Sequence, residues 1–137
     1  GFYVGLVAGS KVERVMRSPV DFPDGKAGDV LALEFTLGGL RYLAINSGGP
    51  AFSDAVSFVI LCDDQAEADR LWDALTPGGT VLACGWLRDR WGVTWQVTPR
   101  RLMELMNDPD QARAGRAMAA MMQMKKIDIA ALEAAAG

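Results

Sequence analysis

The first third of the chain alternates apolar and polar residues, which is typical of half-buried β-strands. Residues 30–37, VLALEFTL, place leucine or phenylalanine at every second position on one face. Gly38 and Gly39 follow directly and predict a two-residue hairpin turn, because both residues tolerate a positive φ. The elements predicted for this part are a helix over residues 2–7 and strands over residues 11–17, 30–37 and 40–46.

The middle of the chain begins with a nearly continuous apolar run, residues 55–62, which predicts a buried strand. Apolar residues then recur at helical spacing over residues 66–75, which predicts an amphipathic helix. Asp64 can cap this helix, and Glu67 follows it at a spacing like that of a capping box. Short strands are predicted after the helix over residues 80–84, 86–90 and 93–98.

The last part of the chain, residues 101–137, is rich in methionine and alanine and has a helical pattern. One helix is predicted over residues 101–107. A second begins at Asp108-Pro109, because proline suits the first turn of a helix, and Asp128 caps a third. Because methionine fills irregular gaps, we expect these helices to pack on the body of the protein or across a partner subunit.

The predicted elements repeat in order along the chain. Residues 55–98 follow the order strand, helix, strand, strand, strand, and residues 2–46 follow the same order without its opening strand. This is an internal repeat of structure, without residue identity. We therefore predict a first βαβββ module over residues 1–52, lacking its opening strand, a second module over residues 53–100, and a helical extension over residues 101–137.

The composition of the chain argues against two classes of partner, nucleic acids and membranes. The net charge is −3, and the 14 lysine and arginine residues are scattered, whereas a nucleic-acid-binding protein needs them clustered. No apolar run approaches the length of about 20 residues that a membrane span requires, and no signal-peptide pattern is present at the start. We expect neither nucleic acid nor membrane as a partner.

Cysteine and histidine content limits the chemistry. Two cysteines, Cys62 and Cys84, do not make a disulfide framework in a chain of 137 residues, so we expect a cytoplasmic protein with reduced thiols. Histidine, the usual general base near neutral pH, is absent. Any chemistry must use carboxylates, amides, hydroxyls, thiols, arginine or lysine.

Several segments carry a resemblance to a known family. The run C-G-W-L-x-D-x-W-G-x-x-W-Q begins at Cys84, and residues 33–52, 55–75 and 116–135 add to it. The chain resembles the PhnB-like family, often labelled 3-demethylubiquinone-9 3-methyltransferase, of the vicinal-oxygen-chelate (glyoxalase/bleomycin resistance/dioxygenase) superfamily. The resemblance implies an α+β fold in which paired βαβββ modules form curved mixed sheets, here with C-terminal helices. Family members usually begin earlier, so the first strand is expected to be missing.

The resemblance also implies where a site would lie. In the superfamily, metal ligands come from the first and last strands of each module, and the matching positions are Ala44 or Asn46, Ser57 and Gln96. These residues orient a ligand in a cavity between the modules, or they hydrogen-bond to each other in a collapsed core. Neutral amides and hydroxyls are poor ligands without anionic help. We therefore predict no metal and no other cofactor, and keep a divalent metal as the less favoured alternative.

Two further residues are candidates for chemistry. Glu34 lies on a predicted strand and supplies a general base or a ligand, or else pairs with Arg41. Cys84 lies close in sequence to Arg88 and Arg90, which could favour a thiolate, but without histidine it lacks the usual base of a cysteine nucleophile. A buried structural role is the favoured interpretation for Cys84.

Aromatic residues are dense around the last two strands. Trp86 either stacks on a planar ligand or packs in the core, and both interpretations stay open. Trp91 and Trp95 are interpreted as core packing, because large rings bury much area. Asp89 and Arg90 lie near a tight turn and are expected to form a local salt bridge that contributes little.

The sequence supports more than one function. The first hypothesis is a PhnB-like protein that binds or transforms an unidentified small molecule without the usual metal. The alternatives are methyltransferase activity, as the family label suggests, and non-catalytic sequestration of a ligand. Methyl transfer from S-adenosylmethionine normally needs a glycine-rich loop after a strand, and none is present. Whether the protein is an enzyme stays open, and we expect a homodimer because the superfamily commonly pairs modules between chains.

Overall fold

A computed structural model describes residues 1–49 and 51–137, and it divides into two compact units, the second of which begins at Ala51. The first unit contains helix α1 (Phe2–Leu6) and strands β1 (Lys11–Arg17), β2 (Val30–Leu37) and β3 (Leu40–Ile45). The second unit contains β4 (Phe58–Cys62), α2 (Gln65–Leu75), β5 (Thr80–Val81), β6 (Trp86–Arg88), β7 (Thr94–Pro99), α3 (Arg100–Met106), α4 (Gln111–Met121) and α5 (Ile129–Ala136).

The first unit is an antiparallel sheet in the order β1-β2-β3, with α1 against β1 and β2. Gly38 and Gly39 have φ angles of 56° and 86°, so the predicted hairpin turn between β2 and β3 is confirmed. The rings of Phe35 and Tyr42 stack across this hairpin with centroids 5.4 Å apart. Alternation therefore predicted these strands correctly.

The second unit contains a mixed sheet in the order β4-β7-β6-β5, in which β4 runs parallel to β7 and the other pairs are antiparallel. Helix α2 packs against β4 and β7 through its buried residues Ala68, Leu71, Trp72 and Leu75. Its N-cap, Asp64, accepts a hydrogen bond from the Glu67 backbone N–H at 2.8 Å. The predicted cap is thus confirmed.

Strand β4 corrects one prediction. The apolar run was expected to form a buried strand over residues 55–62, but β4 begins at Phe58 and leaves Val59 52% and Leu61 41% exposed. The reason is that β4 has one strand neighbour, β7, among the described residues, and α2 packs on the face that carries Cys62. An apolar run predicts a strand, but its burial depends on the layers around it.

The C-terminal helices have a core of their own, made of Leu102, Leu105, Ala117, Ile127, Leu132 and Ala136. Asp110 caps α4, two residues after the predicted start, whereas Asp128 caps α5 as predicted. None of the helices in residues 1–49 and 51–137 is long and apolar enough to span a membrane.

The segment between β5 and β6 holds the C-terminal helices to the sheet. The backbone N–H of Cys84 donates to the Met124 carbonyl at 2.8 Å, and that of Gly85 to the Lys125 carbonyl at 2.6 Å. A Cβ atom at Gly85 would lie 2.9 Å from the side chain of Ile127, so only glycine fits there. Cys84 has a φ of 59°, which takes it out of the strand predicted over residues 80–84.

Candidate ligand-binding site

One face of the second sheet carries most of the polar candidates, and we name it the Gln96 face. Strand register places Gln96 beside Trp86 and Val59, and Thr94 beside Arg88. Side chains two apart on a strand share a face. The Gln96 face is therefore made of Val59, Leu61, Trp86, Arg88, Thr94, Gln96 and Thr98, with Ser57 and Asp54 at its margin.

Two predicted site residues meet at this face. The Gln96 side-chain amide donates to the Ser57 hydroxyl over 2.8 Å. Both side chains are half-buried, as is Trp86. The mutual hydrogen bond is the one expected of a collapsed core, but the remaining exposure leaves both groups within reach of a ligand. The structure thus brings Ser57 and Gln96 together, and a role for them in orienting a ligand stays a prediction.

A second polar group lies along the same face. Arg88 donates from Nε and Nη2 to the two carboxylate oxygens of Asp54, at 3.3 and 2.5 Å, and the Thr94 hydroxyl donates to Asp54 Oδ1 at 2.6 Å. The hydrogen bond from Thr94, and after it the one from Arg88, lowers the pKa of the Asp54 carboxyl below its usual value. Asp54 therefore stays ionised at neutral pH and holds the guanidinium in one orientation.

Sequence reasoning missed Asp54 and Arg88 as partners. Asp54 fell in a linker rich in glycine and proline, and no local pattern marks it. Arg88 did carry a signal, because it lies two residues after Trp86 on a strand and so shares its face. Its partner could not be found the same way, since Asp54 and Thr94 are 40 positions apart.

Asp89 organises the hairpin between β6 and β7. Its carboxylate is 4% exposed and accepts hydrogen bonds from the backbone N–H groups of Trp91 and Val93 and from the indole N–H of Trp95, at 2.9, 3.0 and 2.9 Å. The sequence predicted only a local salt bridge with Arg90 and missed these bonds. A buried carboxylate needs such donors, so Asp89 fixes the turn.

The tryptophans of this hairpin differ in burial. Trp95 is 3% exposed, which confirms its predicted packing role, and its ring lies 5.5 Å from that of Phe58. Trp91 is 50% exposed, and the guanidinium of Arg90 lies 5.2 Å from its ring centroid. The prediction of core packing for Trp91 is wrong, because the turn fixed by Asp89 directs residue 91 toward solvent.

The two cysteines are free thiols. Burial raises the pKa of the Cys62 thiol to about 11, so this thiol is protonated at neutral pH and unreactive. Cys84 is half-buried, and its backbone N–H binds the Met124 carbonyl. This backbone contact lies at the junction with the C-terminal helices, and the buried structural role favoured from sequence for the Cys84 thiol stays a prediction.

Glu34 and Asn46 both lie in the first unit. The Asn46 side chain donates to the Val30 carbonyl at 3.0 Å and closes the end of β3 onto β2. Glu34 Oε2 lies 3.8 Å from Nε of Arg14, whereas the sequence suggested Arg41 as its partner. Glu34 also lines a shallow cleft of about 290 Å³, together with Glu13, Phe35, Arg41, Tyr42 and Leu43.

The Gln96 face does not fit the divalent ion that the superfamily resemblance implies. Its one carboxylate, Asp54, is held by Arg88 and Thr94, and the other polar groups are neutral amides and hydroxyls. Hard divalent cations need several oxygen ligands with anionic character. In the part of the chain that the structure describes, no group of three or more cysteine, aspartate or glutamate residues could hold a metal ion.

The second unit contains a cleft of about 610 Å³ at the N-terminal ends of α2 and α5. Gln65 spans it, since its amide donates to the Ile127 carbonyl at 3.1 Å and accepts from the Ile129 N–H at 2.9 Å. Lys126 Nζ lies 2.7 Å from Asp69 Oδ1, and this hydrogen bond lowers the pKa of Asp69. The polar groups of this cleft thus pair with one another and join α2 to α5.

Comparison with known proteins identifies the family. The family model for 3-demethylubiquinone-9 3-methyltransferase matches residues 1–98. The chain belongs to this family. It is similar to the solved PhnB protein from Bacillus cereus, with 31% identity and a TM-score of 0.65 over 72% of this chain and 85% of that one. No curated protein matches the chain.

A second solved structure supports the fold alone. Protein PA1353 from Pseudomonas aeruginosa has 24% identity and a TM-score of 0.54, over 66% of this chain and 79% of that one. The predicted α+β, glyoxalase-like fold class, with antiparallel and mixed sheets and C-terminal helices, is confirmed.

Proposed function

We propose that this PhnB-like chain binds a small organic molecule at the Gln96 face and does so without the usual divalent metal. The observation that carries the proposal is the hydrogen-bonded pair Ser57–Gln96 beside the half-buried ring of Trp86. A row of polar groups that are fixed yet accessible, next to an apolar surface, is the composition of small-molecule sites in general.

Preorganisation supports a binding role for this face. Each polar side chain already has a partner that fixes its orientation, so a ligand would not have to order it on binding. Val59 and Leu61 add apolar area next to Gln96, and this area is exposed to solvent. Burying such area against a ligand contributes about 25 cal/mol per Å². Polar groups then decide the ligand's orientation.

Methyl transfer is a second candidate, favoured by the description of the matching family. Against it stands the turn from β4 to α2, which carries Asp63 and Asp64 and no glycine-rich loop. Titration calorimetry with S-adenosylmethionine separates the two candidates. Our proposal expects no heat of binding below millimolar concentration, and sub-millimolar affinity would favour the methyltransferase.

Sequestration and catalysis differ in what happens to the ligand after binding. The Gln96 face offers no pair of acid and base side chains, because the pKa of its one carboxylate, Asp54, is lowered and Asp54 is bound to Arg88. This supports sequestration of the ligand unchanged. Metal analysis of the purified protein tests the proposed absence of a divalent ion. One equivalent of divalent ion per chain would contradict that absence.

Assembly and location form part of the same proposal. The chain is proposed to act in the cytoplasm as a homodimer. Exposed apolar side chains on β3, namely Leu40, Leu43 and Ile45, support association, because a second copy would remove them from water. Light scattering at micromolar concentration tests the dimer, and a clean monomer would contradict it.

Fragment screening by NMR tests the binding site itself. The indole N–H of Trp86 and the side-chain amide of Gln96 are reporters on the face, while Trp72 and Trp91 are internal controls away from it. We expect some small organic fragments to shift the two reporters and leave both controls unmoved. In Gln96→Leu the shifts at Trp86 should weaken, whereas the matched control Gln123→Leu, at an exposed position, should retain them. A full screen that leaves Trp86 and Gln96 unmoved would overturn the proposal.

A further inference from the structure

We propose that Arg88 is the anion-recognising residue of the Gln96 face and that the ligands are small planar carboxylates. The inference rests on the proposed function and names the chemical class of its ligand. It is carried by the way in which Asp54 and Thr94 hold the guanidinium.

The hydrogen bonds to Asp54 fix the orientation of the Arg88 guanidinium and leave some of its N–H donors available. Asp54 occupies the edge of Arg88 formed by Nε and Nη2, and Asp54 is itself held by the hydroxyl of Thr94, which is 2% exposed. A guanidinium has five N–H donors, so the edge formed by Nη1 and Nη2 remains. Within residues 1–49 and 51–137, Arg88 donates no hydrogen bond besides those to Asp54.

That remaining edge matches a carboxylate. A guanidinium edge and a carboxylate form two parallel hydrogen bonds in one plane, which gives geometric specificity as well as attraction. The Arg88 side chain is 37% exposed, so a ligand can approach it. Arginine at this position is therefore suited to an anionic group in a way that a neutral amide is not.

Trp86 and Gln96 define the rest of the ligand. Trp86 lies two residues before Arg88 on β6 and on the same face, so the two side chains are about 7 Å apart along the strand. A ring attached to the carboxylate would then lie against the indole, where aromatic contacts are favourable. Gln96 is paired with Trp86 across the strands, which offers its amide to a polar substituent on the far side of that ring.

The charge of the anion is limited to one. Asp54 already balances part of the charge of Arg88, and the chain carries a net charge of −3. A phosphate monoester, with its two charges, would need further cations, and Arg88 is the one cation among the residues of the Gln96 face. We therefore assign the site to organic monocarboxylates rather than to phosphates.

Matched ligand pairs provide the test. The probes are 4-hydroxybenzoate and 4-hydroxybenzamide, which differ in charge and hardly in shape, with affinity followed by NMR at the Trp86 indole. At neutral pH we expect the carboxylate to bind about tenfold more tightly than the amide, or better, as hydrogen bonds to charged groups allow. In Arg88→Gln that preference should disappear while the amide binds as before. Arg90→Gln, at an exposed position, should keep the preference.

The failure of the carboxylate assignment can be distinguished from the failure of the proposed binding function. Equal affinities of the two probes in the wild-type protein, or a preference that survives Arg88→Gln, would overturn the assignment of carboxylates. The proposed function would stand as long as other fragments shift Trp86 and Gln96. If neither probe shifts Trp86, the inference likewise fails, and the fragment screen alone decides the function.

A conservative variant keeps the inference testable if Arg88→Gln does not fold. If the amide spectrum of Arg88→Gln shows loss of folding, Arg88→Lys takes its place, because it keeps the charge next to Asp54 and loses the planar fork. We then expect the preference for the carboxylate to fall several-fold without vanishing. A preference unchanged in Arg88→Lys would contradict recognition by the fork.

Discussion

The two units of this chain are built from the same local pattern and differ in how much of it they bury. Among the described residues of the first unit, Ser18 and Ala32 are buried, although its three strands are regular and its hairpin is well formed. The second unit buries Cys62, Leu87, Trp95 and Val97 of its sheet. Both units therefore form regular strands, but the second unit buries more of its sheet, which α2 covers on the side that carries Cys62.

The same contrast holds for polar groups. In the first unit the polar contacts are short-range or exposed, as in the 3.8 Å pair of Arg14 and Glu34. In the second unit Asp89 and Thr94 are buried and bonded, which fixes neighbouring side chains in one orientation. The rigidly held polar groups of the second unit are the ones suited to bind a ligand, since preorganised groups lose less entropy on binding.

Removing an apolar side chain from each unit should give the largest difference. Leu71 of α2 is 1% exposed, and Leu71→Ala should lower the free energy of unfolding by about 2–5 kcal/mol, through lost burial and a residual cavity. Val20 of the first unit is 63% exposed, and Val20→Ala should change the free energy of unfolding by about 0.5 kcal/mol or less. Urea titration measures both, and comparable losses would contradict the contrast in packing.

Loss of the Asp89 carboxylate should have the next largest effect. An asparagine accepts through one oxygen only, so Asp89→Asn cannot keep all three hydrogen bonds, and we expect a loss of about 1–3 kcal/mol. The Trp95 indole N–H should also shift in the NMR spectrum. The control is Asp73→Asn, at an exposed position of α2. Equal stability of the two variants would show that the hydrogen bond from the Trp95 indole to Asp89 contributes little.

A smaller effect is expected from the bridge between α2 and α5. Gln65→Ala removes the bonds to the Ile127 carbonyl and the Ile129 N–H, each of which contributes about 0.5–1.5 kcal/mol. Hydrogen exchange should quicken at the Ile129 amide in particular. Gln123→Ala should leave that amide protected, and if Gln65→Ala does so too, α5 is held by its apolar contacts alone.

Acid titration should give the smallest difference. The pKa values of Asp54 in the second unit and Asp21 in the first are both lowered, chiefly by hydrogen bonds from Thr94 and from the Ala27 backbone respectively. A lowered folded-state pKa adds stability above the unfolded value of about 3.8, and this is lost as pH falls through the folded value. Asp54→Asn and Asp21→Asn should each flatten stability slightly below about pH 4. A steeper acid dependence in either variant would contradict the direction of the shift.

The sequence predicted what local physics determines. The turn at Gly38-Gly39 and the caps at Asp64 and Asp128 depend on residues within a few positions of each other, and the structure confirms all three. The family resemblance added the face on which Ser57 and Gln96 meet, since register on a strand follows from alternation.

The predictions that failed depend on distant parts of the chain. The exposure of Val59 and Leu61 depends on which strands and helices flank β4, and the partners of Asp54 lie more than 30 residues further along the chain. Neither can be inferred from a window of sequence. Burial and side-chain pairing therefore required the structure.

A crystal structure with the tightest-binding fragment decides whether a small molecule occupies the Gln96 face. We expect density against the indole of Trp86, within hydrogen-bonding distance of Gln96 or Ser57. A fragment that binds with the same affinity but lies elsewhere, with Trp86 and Gln96 left uncovered, would contradict this expectation.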